Sequence, residues 1–484
     1  MTGSALLTVE QMYTADRLTI EGGTPGAVLM ENAGVAIAGE IMRRWEKQPV
    51  AILCGPGNNG GDGFVIARLL KDRGWPVRLA LPGDMGQLTG DALHHARLWT
   101  GQTESLSADI LGDGPLVVDA LFGAGLSRPL DGMALEMITA INQRALVCVG
   151  VDVPSGVDGD TGEILGGAPR CQLTVTFFRA KPGHLLMPGR ELAGELVVAD
   201  IGIGEQVLNT IQPKTFANDP DLWLAGFPWP KTDGHKFDRG HLIITGGLEM
   251  TGAALLAALA ARRIGAGLVT IAAPEGVGAI YRNGLPGNIV STVNNSAEFE
   301  TLLADTRKNT VLVGPGLGVS EATRRLVMSA LETDKRVVLD ADALTAFADD
   351  PQALLGRLNA NHILTPHEGE FARLFDTGGD KPTRARKAAL LSGATVLLKG
   401  PDTVIAAPDG RAVINTSGTP YLATAGSGDV LAGLIAGLTA QGMTPFDAAA
   451  AGAWVHGRAG ELSGPGLIAE DLPDVIPDVL SELS

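Results

Sequence analysis

The sequence predicts an α/β protein built of two three-layer domains, and three observations carry that prediction. Apolar runs of strand length alternate along the whole chain with longer stretches whose apolar residues recur at helical spacing. Most of those runs end in glycine, asparagine or aspartate, the residues of strand-to-helix turns. Among 484 residues, 65 are glycine, 45 % are hydrophobic and only 4 % aromatic, a composition suited to tight turns and small-residue packing. At roughly 150 residues per domain the length allows two or three domains.

A net charge of −17 argues against nucleic acid or an anionic membrane as partner, so a phosphate ligand has to be held by local groups. Cys54, Cys148 and Cys171 lie in separate apolar runs without CxxC spacing, which predicts a reducing compartment and neither a zinc site nor a disulfide framework. The first residues lack a basic region followed by an apolar run, and no apolar stretch reaches the roughly 18 residues that span a bilayer. A soluble, cytoplasmic protein is expected, and a homo-oligomer.

In the first half, Thr8 stands as an N-cap before Val9-Glu10-Gln11-Met12, and Leu29, Met30, Ala33 and Ile37 form an apolar face, so helices are expected between residues 8 and 44. Residues 49–54 read as a buried strand, 55–63 as a loop, 64–72 as a helix and 77–81 as a second strand, together one βαβ unit. Gly55-x-Gly57-x-x-Gly60 matches the dinucleotide fingerprint, and Asp84 stands where a ribose-binding acid is expected. Alone that pattern suggests an NAD-dependent oxidoreductase. Asn58 and Asn59 beside Asp62 add oxygen ligands that a pyrophosphate cradle does not require. Two later strands run into Asp119 and into Asp152-Val153-Pro154-Ser155. At the carboxyl edge of a parallel sheet Asn59, Asp119, Asp152 and Ser155 converge, and hard oxygens of this kind fit a weakly charged cation better than zinc or copper.

From residue 206 to 238 the periodicity fades among prolines and asparagines. The boundary therefore falls within 205–220, giving domains 1–205 and 221–484 joined by a linker, 206–220. No internal repeat occurs, so the halves are different folds.

In the second half, apolar runs at 241–245, 267–271, 310–313, 337–339, 363–365 and 395–398 predict a second three-layer sheet. Gly314-Pro315-Gly316-Leu317-Gly318 lacks the Lys-Ser/Thr ending of a P-loop. Lys399 at a strand end suits nucleotide phosphates or a plain surface position equally. His367, in a loop between Pro366 and Gly369, reads as a substrate contact, whereas Trp454 and His456 read as core. Asp340 and Asp342 repel each other unless a partner intervenes, and Asp342 is explained by capping the next helix.

The second half culminates in Thr424-Ala425-Gly426-Ser427-Gly428-Asp429, after which apolar residues at helical spacing predict a helix beginning near Ser427. Free N–H groups at its start form an anion site, yet the carboxylate of Asp429 occupies the same place. The conflict resolves if Asp429 is a base set against an acceptor hydroxyl while the amides hold the phosphoryl being transferred. Beside helix N–H groups it is expected to be ionised and a weak base.

Gly57-Asn58-Asn59-Gly60-Gly61-Asp62-Gly63, Val118-Asp119-Ala120-Leu121-Phe122-Gly123-Ala124-Gly125, Asp152-Val153-Pro154-Ser155-Gly156 and Lys181-Pro182-Gly183 resemble the motifs of NAD(P)H-hydrate epimerases over residues 8–205. The resemblance implies a Rossmann-like fold that interconverts the two C6 epimers of hydrated nicotinamide cofactor. It implies that Asn58, Asn59, Gly60, Gly61 and Asp62, the turn Gly123, Ala124, Gly125, Leu126, Ser127, Arg128 and Pro129, and Asp152 contact the substrate. Arg128 suits its phosphates. Asn59, Asp119 and Ser155 would hold K+. Asp119 and Lys181 are the candidates for acid/base work.

Thr365-Pro366-His367-x-Gly369-Glu370, Lys399-Gly400 and Gly426-x-Gly428-Asp429 resemble the ribokinase-like superfamily. With Asp340-Ala341-Asp342-Ala343-Leu344 and the glycines at 314, 316 and 318, the stretch 230–475 is most similar to its NAD(P)H-hydrate dehydratases. That resemblance implies phosphoryl transfer to the C6 hydroxyl of the (S)-hydrate, then loss of phosphate. Ala253, Gly316, His367 and Asp429 would touch the substrate, Lys399, Gly400, Pro401, Asp402, Thr403 and Gly428 the nucleotide, and Asp429 would be the base. Similarity to the fused prokaryotic type implies Mg2+ with ADP. Gly426-Ser427-Gly428 and His367-x-x-Glu370 depart from the superfamily's usual Met-Gly or Ser-Gly step and Asn-x-x-Glu. A bifunctional cofactor-repair enzyme acting on NADHX and NADPHX is thus expected. The alternatives are a small-molecule kinase with an N-terminal ligand-binding module, or a first half that is only a scaffold.

Overall fold

The computed structural model describes residues 3–126 and 128–484. Packing divides it into two compact units, one ending at Thr215 and the other spanning Phe216–Ser484.

The first unit opens with strand β1 (Ala5–Leu6) and helices α1 (Val9–Glu21) and α2 (Gly26–Arg44). Thr8 starts α1 through a reciprocal cap: its hydroxyl accepts from Gln11 N at 3.2 Å while Gln11 Oε1 accepts from Thr8 N at 3.0 Å. Seven strands come next: β2 (Val50–Cys54), β3 (Val77–Leu81), β4 (Thr103–Ser105), β5 (Leu116–Ala120), β6 (Cys148–Val151), β7 (Leu173–Phe177) and β8 (Glu195–Ala199). They pair in parallel in the order β4-β3-β2-β5-β6-β7-β8. The chain runs outward from β2 to β4 and then returns to β5, so the order reverses between β2 and β5. A crevice opens outside the carboxyl ends of such strands.

Helix α3 spans Asn58–Asp72, six residues earlier than the glycine run suggests. The glycines are there for contact, not for a loop. A Cβ on Gly60 would lie 1.9 Å from the Gly55 carbonyl oxygen, one on Gly61 2.5 Å from Met30 Sδ, and one on Gly63 2.6 Å from Cys54 Sγ. Asp84, expected at a ribose, instead caps a turn of 3-10 helix at Met85–Gln87 by accepting from Gly86 N. The cysteines are free and buried, although Cys148 and Cys171, apart in sequence, come together with sulfurs 3.7 Å apart.

The segment 206–220 is not all linker. It holds strand β9 (Thr215–Asn218), and Asn218 is buried, donating to Asn415 Oδ1 at 2.7 Å and to the Ala450 carbonyl at 2.8 Å. Beyond it, Trp223 and Phe227 enter the second unit's core. That unit continues with β10 (His241–Thr245), β11 (Leu268–Ala273), β12 (Ile289–Thr292), β13 (Thr310–Val313), β14 (Arg336–Leu339), β15 (His362–Leu364), β16 (Thr395–Leu398), β17 (Val404–Ala406) and β18 (Ala412–Asn415). The order is β9-β18-β17-β16-β15-β14-β13-β10-β11-β12. Strands β10 to β16 pair in parallel, while β17 runs antiparallel to both β16 and β18. This hairpin was not legible in the sequence, where three- and four-residue apolar runs carry little periodicity.

The helix Ser427–Ala440 lies against Thr251–Arg263 and beneath β13 and β14. The two helices meet at small residues: a Cβ on Gly433 would fall 2.2 Å from the Ala257 carbonyl oxygen and 2.7 Å from its Cα. Gly433→Val should therefore force these helices apart and destabilise the second unit by about 1–3 kcal/mol. Thermal unfolding of the full chain would read this as a lowered Tm for that unit's transition.

Candidate active sites

The crevice of the first unit is a cavity of about 490 Å³, within the size range of small-molecule sites. Its walls include Asn58, Asn59 and Asp62 from α3, Gly123 to Leu126 and Arg128 from the turn after β5, Asp152 from the end of β6, and Lys181. Gly60, Gly61 and Pro129 are not part of the wall; Gly60 and Gly61 are buried against Gly55 and Met30. Ser127 lies outside the described residues.

Asp152 and Lys181 form a buried pair, Nζ to Oδ1 2.5 Å, with side-chain exposures of 16 % and 2 %. Thr176 Oγ1 donates to the same oxygen at 2.9 Å and accepts from Lys181 Nζ at 2.8 Å, while Ala124 N donates to Asp152 Oδ2 at 3.3 Å. Burial alone would raise the Asp152 pKa; the Lys181 charge and hydrogen bond overcome it and hold the carboxyl below its ordinary value. Asp152 adopts the left-handed region, φ 65°. His184 is also lowered, to about 4: burial first, then the Lys181 charge, outweighs the opposing charge of Asp152.

Asp119 is fully buried and outside the cavity wall. Its oxygens accept from Ser155 Oγ at 2.6 Å and Ser155 N at 2.8 Å. Burial nevertheless pushes its pKa up to about 6. Ser155 Oγ also accepts from Phe122 N and lies 3.0 Å from the Phe122 carbonyl oxygen. Near Gly123, whose Cβ would sit 2.8 Å from Asn59 Oδ1, the Asn59 side-chain nitrogen is buried without a partner. Carboxylate, hydroxyl, amide and backbone oxygens thus gather here, a ligand set that fits a hard monovalent cation. Among the described residues no cluster of three or more His, Cys, Asp or Glu is arranged to hold a metal.

Helix α1 also belongs to the site, a contribution that no motif in the sequence marks. Tyr13 and Asp16 line the cavity from this helix, and a Cβ on Gly125 would fall 2.2 Å from Tyr13 Oη. One signal was available: Met12, Ala15 and Thr19 form the buried stripe of α1, and Asp16, four residues after Met12, shares its flank.

In the second unit Asp429 occupies the first turn of the helix Ser427–Ala440, entered through Gly426 at φ 89°. Lys399 Nζ binds Asp340 Oδ1 at 2.8 Å and stands 3.9 Å from Glu370 Oε2; Thr365 Oγ1 donates to Asp340 at 2.8 Å. A Cβ on Gly428 would meet only Lys399 Nζ, at 3.7 Å. Burial would lower the Lys399 pKa, but Asp340 and Glu370 raise it above the ordinary lysine value. Asp429 departs from expectation. Burial, then the Asp340 charge, raises it to about 6 despite Lys399, so desolvation outweighs the helix N-terminus and the group is a stronger base than sequence suggested.

Asp342 does not cap its own helix; it accepts from Gly318 N at 2.8 Å. His367 caps Glu368–Leu374, its Nδ1 accepting from Gly369 N and Glu370 N. Ala253 and Gly316 touch, since a Cβ on Gly316 would lie 3.1 Å from that of Ala253. Asp402 is tied to Lys381 at 2.5 Å, and Thr403 Oγ1 to the Gly400 carbonyl at 2.8 Å. His456 is core, as expected, 3.0 Å from Ser427 Oγ.

Removing one member of the buried pair in the first unit leaves the other uncompensated. Lys181→Met should cost that unit about 3–5 kcal/mol. Adding Asp152→Asn, which keeps a residue tolerant of the left-handed backbone, should restore most of it; calorimetric unfolding of the single and double variants checks both.

Two family models match the chain. Residues 26–183 match one described as YjeF-related protein N-terminus, and residues 241–476 match one described as NAD(P)H-hydrate dehydratase. The bifunctional NAD(P)H-hydrate repair enzyme of Moorella thermoacetica is 38 % identical, over 99 % of this chain and 97 % of the relative. That of Salinibacter ruber is 37 % identical over 99 % and 96 %. Among solved structures, an ADP/ATP-dependent NAD(P)H-hydrate dehydratase from Bacillus subtilis co-crystallised with ATP/Mg2+ is 30 % identical, covering 55 % of this chain and 98 % of its own, with a TM-score of 0.47. With similarity of this extent running from end to end, the chain belongs to the family of bifunctional NAD(P)H-hydrate repair enzymes.

Proposed function

We propose that the chain returns hydrated NADH and NADPH to use: residues 1–205 interconvert the C6 epimers, and residues 221–484 dehydrate the (S) form at the expense of ADP. The observation that carries the second activity is the placement of Asp429, a partly buried carboxylate in the first turn of a helix, facing Lys399. Ala253, Gly316 and His367 position the hydrate, and residues 399–403 with Gly428 hold the nucleotide. Mg2+ bound with the nucleotide neutralises phosphate charge, and the carboxylates around Lys399 are the groups suited to share it.

Asp429 takes the proton of the C6 hydroxyl as the hydroxyl oxygen bonds to the β-phosphoryl of ADP and AMP departs. Phosphorylation turns hydroxide into a far better leaving group. The ring nitrogen's electron pair then expels phosphate from C6, and loss of a proton from C5 restores the dihydropyridine. Helix N–H groups hold the phosphoryl oxygens throughout.

In the first unit Asn59, Asp119 and Ser155 would hold K+, which would fix the turn after β5 against α3. Asp119 serves that role and not proton transfer with the substrate, because it is absent from the cavity wall. Lys181, steadied by Asp152, is the proton donor to the ring nitrogen when the hydrate opens.

The test is recovery of reduced-nicotinamide absorbance from a mixed-epimer NADH hydrate with Mg2+, K+ and either ADP or ATP. Complete recovery is expected. A halt after the (S) fraction would remove the epimerase half, and no recovery beside a stable phosphorylated product would favour a kinase. Asp429→Asn should abolish dehydration and leave epimerisation intact. Since Asp429 works only without its proton, dehydration kcat/KM should fall tenfold per unit below pH about 6 and be flat above it; a profile flat down to pH 5 would exclude it as the base.

A further inference from the structure

Epimerisation through an opened ring needs two proton-handling groups, and Lys181 is only one. As the bond between C6 and N1 breaks, N1 gains a proton and the C6 hydroxyl loses one. The group that takes the hydroxyl proton has to reach the cavity with a carboxylate or imidazole not already committed.

The nearby carboxyls differ in this respect. Asp152 spends Oδ1 on Lys181 and Thr176 and Oδ2 on Ala124 N. Asp119 is spent on Ser155 and lies behind the wall. His184 is buried, its ring nitrogens bonded to Lys181 N and the Asp152 carbonyl, and it is not part of the wall. Asp16, Asp62 and Asp91 are in the wall, and no hydrogen bond or ion pair from the described residues reaches their carboxyls. Burial pushes Asp62 well above the ordinary carboxyl range, which favours its protonated form. Of the other two, half-buried Asp16 is the one on which the charges of both Lys181 and Asp152 act.

Its helix is anchored at both ends of the site. Val9 N donates to Asp160 Oδ1 at 2.8 Å, and Val9 packs where a Cβ on Gly159 would lie 2.8 Å from its Cγ2. One turn on, Tyr13 stands over Gly125 in the turn after β5. These contacts fix the face of α1 that carries Asp16 toward Lys181 and Asp152, whose charges both act on it. Residue 16 also precedes the span matched by the first family model, which begins at 26.

We propose that Asp16 is a catalytic residue of the epimerisation, taking the C6 hydroxyl proton as the ring opens and returning it as the ring closes on the opposite face. In the opening step the Asp16 carboxylate gains that proton, the C6 oxygen forms a carbonyl, the electrons of the C6–N1 bond pass to N1, and N1 takes a proton from the Lys181 ammonium. Rotation about C5–C6 exposes the other face of the carbonyl. Closure reverses each transfer, so atoms and charge balance and no further reactant is needed. Burial first, then the opposed charges of Lys181 and Asp152, brings the Asp16 pKa up to about 6, near the value at which a base works well at neutral pH. The other groups facing it are Tyr13 on its own helix, Asp62 on α3 and Arg128 in the turn after β5.

This inference rests on the epimerase reading. The experiment uses the full chain and (R)-NADPH hydrate without ADP, monitoring appearance of the (S) epimer by chromatography beyond the spontaneous rate. Asp16→Asn should lower kcat by about 10²–10⁴-fold with KM changed less than about threefold, and Asp16→Glu should recover part of the loss. The wild-type kcat/KM should rise through pH about 6, and that limb should vanish in Asp16→Asn. Wild-type rates in Asp16→Asn, or a loss confined to KM with the pH limb kept, would overturn the proposal while leaving the epimerase standing. A wild-type chain that does not exceed the spontaneous rate would instead overturn the epimerase reading, and this inference with it.

Discussion

Backbone touching backbone at the carboxyl ends of the strands is the constraint on which both sites depend. A Cβ on Gly55 would fall 1.7 Å from the Leu121 carbonyl oxygen, and one on Gly247 1.8 Å from that of Gly316. In each unit two turns from different strands are thereby held at a spacing that no side chain permits. Polar groups on those turns inherit the fixed spacing. This is why Asn59 stands beside Gly123, and why Gly316 reaches Ala253.

On that frame both units solve one electrostatic problem in similar ways. Each gathers several carboxyls about a single lysine: Asp152 and Asp16 about Lys181, Asp340 and Glu370 about Lys399, with Asp429 beyond. The lysine is committed to one carboxylate at short range, 2.5 Å in the first unit and 2.8 Å in the second. The remaining carboxyl in each case is partly buried, unbonded and raised to about 6. Pairing takes the charge that burial could not tolerate, and the unpaired group is left near neutrality, where it can accept and release a proton.

Much of this was legible in the sequence because strands buried on both faces are near-continuous apolar runs, and the polar residues that end each run sit at the sheet edge where ligands collect. The strand ends at Asp119, Asp152, Asp340 and Lys399 were found this way, as was the helix carrying Asp429. The features that escaped detection did so for physical causes. Glycine demanded by close contact is indistinguishable by sequence from glycine demanded by a turn, so α3 was started too late. Burial, which no local pattern reports, outweighs the helix N-terminus at Asp429. Asp16 was passed over because a site contribution from a helix preceding the first long strand depends on tertiary docking. Cys148 and Cys171 met because β6 neighbours β7, a fact of sheet order and not of spacing.

Among the described residues, Lys181 and Arg128 are the cations that line the first cavity, and they differ in availability. Lys181 is neutralised by Asp152, whereas Arg128 is exposed. An anionic ligand approaching a chain of net charge −17 therefore meets a field of its own sign until it is close to one guanidinium. Encounter is slowed at low ionic strength and hastened as salt shortens the range of that repulsion. The salt dependence of that encounter is thus opposite in sign to that of enzymes that steer phosphates with a basic surface.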